Sequence, residues 1–494
     1  MGFKKVPTLV ALALTAIIWL IPLWKPLPPE VSSNAWHLLA MFVGIIAAII
    51  GKAMPIGAIA IIAFTLVALT GVTVVDPEVI AKGKTASTAI KDALSSLNHS
   101  LIWMIGIAII ISRGLLKTGL GERIGYLFVS LWGKRAIGVA YSLSFCDLLL
   151  GPVTPSNTAR GGAIVHPIMK SIAGNFGSDP ADGTQKKIGR YLALVNYHSN
   201  IITCLFFVTA TAPNPLAVDA INKLAGTDFQ MSWGTWFLGM CVPALVAMLL
   251  MPLILMLFFP PEIKHTPDAP ALAKEKLKAM GPMNRGEKIM LGVFAVMLLL
   301  WAEVPKHLFG VSVDATAAAL LGLSLLLISG VLTWDDALKE KGAWDTIIWF
   351  AALVMMADFL NKLGLIGWIS NLMKGYIASH EMSWQAGSIL LVLVYLYSHY
   401  MFASGTAHVT GMFAAFYGAG LALGAPPALL AFAMSAATGI MMSLTHYASG
   451  SSPVIFSSNY VTMKEWWLAG FLMSVVEIAI FATVGLAWWK MLGY

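Results

Sequence analysis

Uninterrupted apolar runs recur from one end of the chain to the other, among them residues 7–22, 57–75, 101–111 and 233–260. Several reach the roughly 20 residues that a helix needs to cross the hydrocarbon core of a bilayer. The alternation of a membrane β-barrel is not visible, so helices must satisfy the backbone. The pattern predicts an all-α polytopic membrane protein. Two kinds of interruption punctuate it. Between the basic residues at 134–135 and 186–190 lie two short apolar arms, joined by Gly151-Pro-Val-Thr-Pro-Ser-Asn-Thr-Ala-Arg-Gly-Gly162. Pro152 and Pro155 end the first arm, because a helix seldom continues through them. Ser156, Asn157 and Thr158 are N-cap residue types for the second. This predicts either a helical pair that crosses fully or a re-entrant hairpin. A second copy, without the prolines, surrounds Ser404-Gly405-Thr406. The other interruption breaks a span. An apolar stretch at 191–208 runs into Thr209-Ala-Thr-Ala-Pro-Asn-Pro215, and its counterpart is Thr445-His-Tyr-Ala-Ser-Gly-Ser-Ser-Pro453. Unwound backbone at membrane depth is tolerated only where it is buried in protein or lines a cavity.

The interruptions come in pairs because the chain repeats itself. Ile102-Trp103 returns as Ile348-Trp349, and Lys117-Thr-Gly-Leu120 as Lys362-Leu-Gly-Leu365. Ser156-Asn-Thr-Ala-Arg160 returns as Ser404-Gly-Thr-Ala-His408, and Ala210-Thr-Ala-Pro-Asn-Pro215 as Ala448-Ser-Gly-Ser-Ser-Pro453. Four matches in the same order at a nearly constant offset mark an internal duplication. Inverted repeats with paired broken segments are a mark of secondary transporters, whose substrate sits near the midplane between equivalent elements. The polar stretch at 261–288 falls between the copies, as a linker.

Composition agrees with the pattern. Hydrophobic residues make up 58% of the 494 and charged residues 11%, against about a quarter charged in soluble domains. Mean hydropathy is +0.80. The net charge of +7 does not point to nucleic acid, because the excess sits in short loops around 134–135, 186–190 and 262–288. The positive-inside rule makes those loops, and the N-terminus, cytoplasmic. Cys146, Cys204 and Cys241 lack disulfide or metal spacing. The first apolar run reads as a span, since no convincing cleavage site follows it. Without a long Ser/Arg-rich transit segment ahead of it, the expected location is the plasma (inner) membrane. No catalytic metal signature and no nucleophile with a paired base is found, so an enzyme is not expected. No cofactor or metal is expected either.

The paired tips suggest chemistry for a small anion. Helix N-termini offer N–H groups and the positive end of a macrodipole. The tip hydroxyls and Asn157 add donors, and Arg160 is a permanent planar partner for a carboxylate. His408 stands at the position equivalent to Arg160 and supplies a second charge when protonated. Two cationic tips suit an anion with a carboxylate at each end. Each feature also has a plainer reading, as loop, positive-inside residue or packed histidine. His166, His198, His399 and His446 have no such partner and are left as structural. Asp147 and Asp358 lie in apolar segments, where ionisable residues are functional candidates by default.

These residues carry a resemblance. The string Gly151–Gly162 resembles the hairpin tip of the divalent anion/sodium symporter family, especially the 2-oxoglutarate/malate translocators and citrate/succinate or tartrate/succinate antiporters. The likeness extends to Ala35-Trp-His37, Lys117-Thr-Gly-Leu-Gly121 and Trp466-Trp467, over nearly the whole chain. It implies a homodimer in the lipid bilayer, each scaffold holding a transport domain that moves as an elevator. The implied division is scaffold at 1–135 and 289–384, transport parts at 136–260 and 385–494, and the cytoplasmic linker at 261–288. The hairpins fall at about 136–174 and 386–424. By motif match, Ser156, Asn157, Thr158, Ser404, Gly405 and Thr406 line the substrate site, with Arg160 and His408 behind them. Thr211, Asn214, Ser449 and Ser452 form its walls. Sodium-coupled members carry Ser-Asn-Thr at both tips followed by small neutral residues. Arg160, Ser404-Gly-Thr406 and His408 depart from that, which points to sodium-independent exchange of dicarboxylates rather than symport.

Overall fold

The computed structural model describes residues 4–494, and within them helix is the only regular structure. Seven helices are long and apolar enough to cross a membrane: Lys5–Leu23, Ser33–Ile50, Ser100–Thr118, Ala136–Val153, Trp233–Phe258, Lys341–Lys362 and Met463–Met491. The chain is a multi-pass membrane protein.

The order of elements occurs twice. Ser100–Thr118 and Leu120–Trp132 precede a hairpin of Ala136–Leu150, a 3-10 turn Gly151–Val153, a π-helical stretch Thr158–Val165 and His166–Asn175. Then come Gly189–Phe206, an unwound segment, Pro213–Ala225 and Trp233–Phe258. The later sequence is Lys341–Lys362, Leu365–Ser379, Trp384–Tyr397, the 3-10 turn Ser398–Met401, Gly405–His408, π-helical Val409–Phe413 and Ala414–Ala422. It closes with Pro427–Ile440, the 3-10 turn Met441–Ser443, an unwound segment, Ser452–Phe456 and Met463–Ile480. The Lys-x-Gly-Leu motif acquires a physical reason. Gly119 and Gly364 end their helices at φ of +79° and +82°, a left-handed conformation that a side chain disfavours.

The residues group into two compact units. One comprises the chain up to Gly106, Lys341–Val392 and Thr406–Pro426. In it Ser33–Ile50 packs on Lys5–Leu20, Lys341–Lys362 on Ile56–Thr70, and Leu365–Ser379 on Ala414–Ala422. The other comprises Ile107–Glu340, Leu393–Gly405 and Pro427–Tyr494. Its centre is the helix Gly189–Phe206, in which every residue except Arg190 is buried. That helix packs on Trp233–Phe258 and Ala136–Leu150. A helix with no lipid-facing side can carry Asn196, His198, Ser199, Asn200 and Thr203 without exposing them to hydrocarbon.

The two flanks of the first hairpin lie together. Its leading flank bonds to the segment 262–266 through Thr266 N–H to Lys134 O (3.0 Å) and Ala136 N–H to Lys264 O (3.0 Å). Its trailing flank bonds to the same segment through Glu262 N–H to Lys186 O (3.1 Å) and Ile263 N–H to Lys187 O (2.8 Å). Both arms therefore begin and end at one side. The polar stretch at 261–288 is more ordered than a linker need be. Its helix Ala269–Met280 packs on Leu120–Trp132. Arg123 of that helix pairs with the buried Glu287 at 2.5 Å and donates to Gly281 O at 2.9 Å.

Candidate functional site

Four interrupted segments meet in the second unit. At the first tip the Ser156 hydroxyl accepts from Ala159 N–H at 3.2 Å and caps the return arm. That arm starts as a π-helical stretch, Thr158–Val165, an irregularity common at functional sites. The second hairpin's return arm has one too, Val409–Phe413.

Arg160 is fully buried, and protein groups meet all of its N–H bonds. Nε donates to Asp147 Oδ2 at 3.0 Å. Nη1 donates to the carbonyls of Thr154 (2.7 Å) and Ala210 (3.0 Å). Nη2 donates to Thr203 Oγ1 and Cys204 Sγ, each at 3.3 Å. Asp147 in turn accepts from Thr203 Oγ1 and from Asn200 Nδ2 at 3.0 Å. The expected grip of Arg160 on a substrate carboxylate is not what this geometry offers. The guanidinium instead ties the first arm, the tip and the unwound segment after Phe206 into one neutral, hydrogen-bonded unit. This also gives Asp147 its function.

The first unwound segment is stitched by its own side chains. Asn214 Nδ2 donates to Cys204 O (2.7 Å) and Phe207 O (3.0 Å), the carbonyls left open where the helix ends. Thr209 Oγ1 donates to Pro152 O of the tip at 2.5 Å, and Thr211 is buried as well. In the second unwound segment the hydroxyl of Ser452 accepts from Ser449 N–H at 3.0 Å and lies 2.9 Å from Ser449 Oγ. Tyr197 of the central helix reaches Ser452 Oγ at 2.7 Å and also donates to Met442 O. His399 Nε2 lies 2.9 Å from Ala448 O, so this histidine belongs to the site's framework.

Glycines mark where the segments touch. A Cβ on Gly450 would collide with Thr158 Oγ1, and one on Gly162 would approach Val454 to 3.0 Å. One on Gly405 would approach Pro213 and Met442 to 3.2 Å each. The first tip thus abuts the second unwound segment, and the second tip reaches both. Ser156, Asn157, Thr158, Arg160, Thr211, Asn214, Ser404, Gly405, Ser449 and Ser452 all belong to this unit. Thr406 and His408 belong to the other, where both are buried.

Within this cluster some donors lack protein partners. Asn157 is only 7% exposed, and its Nδ2 has no acceptor in the protein. The buried hydroxyls of Thr154 and Thr445 also have none. Burying such a group unpaired costs about 1–3 kcal/mol, so a polar ligand or water is the expected partner. Thr154 and Thr445 were not singled out from sequence, though both flank the recognised motifs. Glu477 was also missed. It is fully buried in the span Met463–Met491, and neither carboxyl oxygen has a protein partner. Its isolation in a long apolar run was the available signal. A separate cavity of about 130 Å³ is lined by Leu115, Leu116, Gly119, Glu122, Ala163, Ile164 and Pro167 and does not include the tips.

Comparison with known proteins gives this geometry a context. The model of the sodium:sulfate symporter transmembrane region matches residues 4–494. The Bacillus subtilis (strain 168) protein YflS, whose name refers to malate transport, is 46% identical over 492 residues, 99% of this chain and 97% of its own. Dicarboxylate transporter 1, chloroplastic, of Spinacia oleracea is 43% identical over 492 residues, all of this chain and 82% of its own. The crystal structure of the YdaH transporter of Alcanivorax borkumensis superposes with a TM-score of 0.52 at 11% identity, covering 89% of this chain and 99% of that one. That likeness concerns the fold alone.

Proposed function

The chain belongs to the sodium:sulfate symporter family of membrane transporters, and on that premise we propose that it exchanges C4 and C5 dicarboxylates, the malate, succinate and 2-oxoglutarate class, without sodium. The observation that carries the reading is the meeting of two tips and two unwound segments around donors that no protein group satisfies, Asn157 Nδ2 foremost. A dianion brings acceptors at both ends and supplies those partners. Ser156, Asn157, Thr158, Ser404 and Gly405 line the site, with the hydroxyls of Thr154 and Thr445. Thr211, Asn214, Ser449 and Ser452 hold its walls. The names of two relatives, for malate and for dicarboxylate transport, point the same way.

The position of Arg160 supports sodium independence. Carbonyl oxygens of unwound segments are the ligands that transporters of this design present to coupling ions. Here Thr154 O and Ala210 O are taken by a guanidinium. A tethered cation cannot be released, so substrate movement is not tied to a sodium gradient and runs as one-for-one exchange. Asp147 cancels the charge of Arg160, so the reluctance of an empty carrier to cross rests on its unpaired donors. The transport parts at 136–260 and 385–494 move as an elevator against scaffolds at 1–135 and 289–384, in a homodimer. The location is the plasma membrane, with the N-terminus in the cytoplasm. The family's description favours a second reading, a sodium-coupled symporter of the same fold.

A counterflow screen tests the substrate class. Proteoliposomes are loaded in turn with malate, succinate, 2-oxoglutarate, citrate and sulfate, and labelled malate is supplied outside. Accumulation with the C4 and C5 diacids but not with sulfate is expected. Accumulation driven by sulfate alone contradicts the assignment.

A further inference from the structure

Three basic stretches that lie far apart in sequence come together at the base of the first hairpin. The segment 262–266 pairs by its backbone with Lys134 and Ala136 on one side and with Lys186 and Lys187 on the other. Arg135 and His265 face each other as an isolated antiparallel bridge, and Thr266 Oγ1 donates to Gly133 O at 2.7 Å. This fixed register brings Lys134, Arg135, Lys186, Lys187 and Lys264 into one patch. All are exposed except the half-buried Lys187. Among the described residues none of the five enters an ion pair. The acid of the same segment, Glu262, pairs with none of them. Arg190, the next cation along, is excluded because it is engaged with Glu465 at 2.9 Å.

The patch sits at the membrane boundary. The span Ala136–Val153 begins directly after Arg135, and Trp233–Phe258 ends shortly before Lys264. The neighbouring ends of the helix Leu120–Trp132 and the span Trp233–Phe258 carry exposed Leu131 (67%), Trp132 (43%), Leu257 (75%) and Phe258 (56%). A tryptophan at such a level belongs to the aromatic belt of the interface. Unpaired cations bordered directly by exposed hydrocarbon fit a ligand with an anionic head and an apolar tail. A soluble polyanion would use the cations and leave the apolar fringe uncovered. We infer that this patch is a docking site for anionic phospholipid headgroups, with the acyl chains lying along the exposed apolar ends of these two helices. Clustered Lys and Arg beside a span attract such lipids. The lipid would bear on the loops that anchor both arms of the hairpin.

The test is lipid retention by the full chain, read by native mass spectrometry from mixtures of phosphatidylglycerol and phosphatidylcholine with matched chains. Wild type is expected to keep phosphatidylglycerol in preference. A variant with Lys134→Gln, Arg135→Gln, Lys186→Gln, Lys187→Gln and Lys264→Gln is expected to lose that preference about tenfold or more. A control neutralising the exposed Lys25, Lys52, Lys84, Lys91 and Lys374 should keep it. Should the fivefold variant fail to fold, the single changes Lys134→Gln and Lys264→Gln serve. Each should shrink the rise in melting temperature that phosphatidylglycerol gives wild type. Equal retention in variant and wild type, or equal loss in the control, overturns the assignment. So does tight binding of inositol hexaphosphate to lipid-free protein with no phosphatidylglycerol preference.

Discussion

Asn157 and Arg160 stand on one turn of chain and have different tasks. Asn157 presents an unpartnered donor, and Arg160 has none left to give. Asn157→Ala should therefore weaken dicarboxylate binding by about 1.5–3 kcal/mol, roughly 10- to 100-fold, as for a lost hydrogen bond to a charged group, with little change in melting temperature. Calorimetric titration checks this, and wild-type affinity would remove Asn157 from the site. Arg160→Ala should act on stability first. It leaves Asp147 buried without its partner, at a cost of about 3–5 kcal/mol. The double change Asp147→Ala with Arg160→Ala should recover part of that loss in thermal unfolding. Strictly additive losses would show that the two residues do not act as a pair. The sequence could not reveal this pairing. A lone arginine after a Ser-Asn-Thr tip looks like a substrate ligand, and its acceptors at Asp147, Thr203 and Ala210 are set by the fold.

At the scale of elements, the broken helices hold their shape through contacts that cross from one copy of the repeat to the other. Tyr197 belongs to the first copy and holds Ser452 and Met442 of the second. Tyr197→Phe keeps the buried ring and deletes the hydroxyl. It should lower substrate affinity by about 0.5–1.5 kcal/mol through the loosened Ser449–Ser452 turn. Unchanged affinity together with unchanged stability would mean the turn holds itself. The position of each break was legible, because Pro, Gly, Ser and Asn punctuate otherwise apolar runs. The cross-repeat ties were not, since no local pattern joins Tyr197 to Ser452. The stretch at 261–288 was legible as polar and intervening. Its helix, and the Arg123–Glu287 pair that fixes it, arise from tertiary packing.

For the whole molecule, the duplication and the spans were readable from hydropathy and repeated motifs alone. The backbone bonds of 262–266 to both flanks put the two ends of the first hairpin together, an arrangement that a re-entrant hairpin and a fully crossing pair share. Single cysteines at Lys134, Lys186 and Lys276 in a cysteine-free background should label from one side, the cytoplasmic one under the positive-inside rule. Labelling of 134 and 186 from opposite sides would refute the hairpin. The central claim is exchange by a carrier whose cation is built in. Its most direct test is uptake of labelled malate or 2-oxoglutarate into proteoliposomes, with internal dicarboxylate and the sodium gradient varied independently. Uptake should require dicarboxylate inside and be indifferent to sodium. Rapid uptake into empty vesicles driven by inward sodium would contradict it.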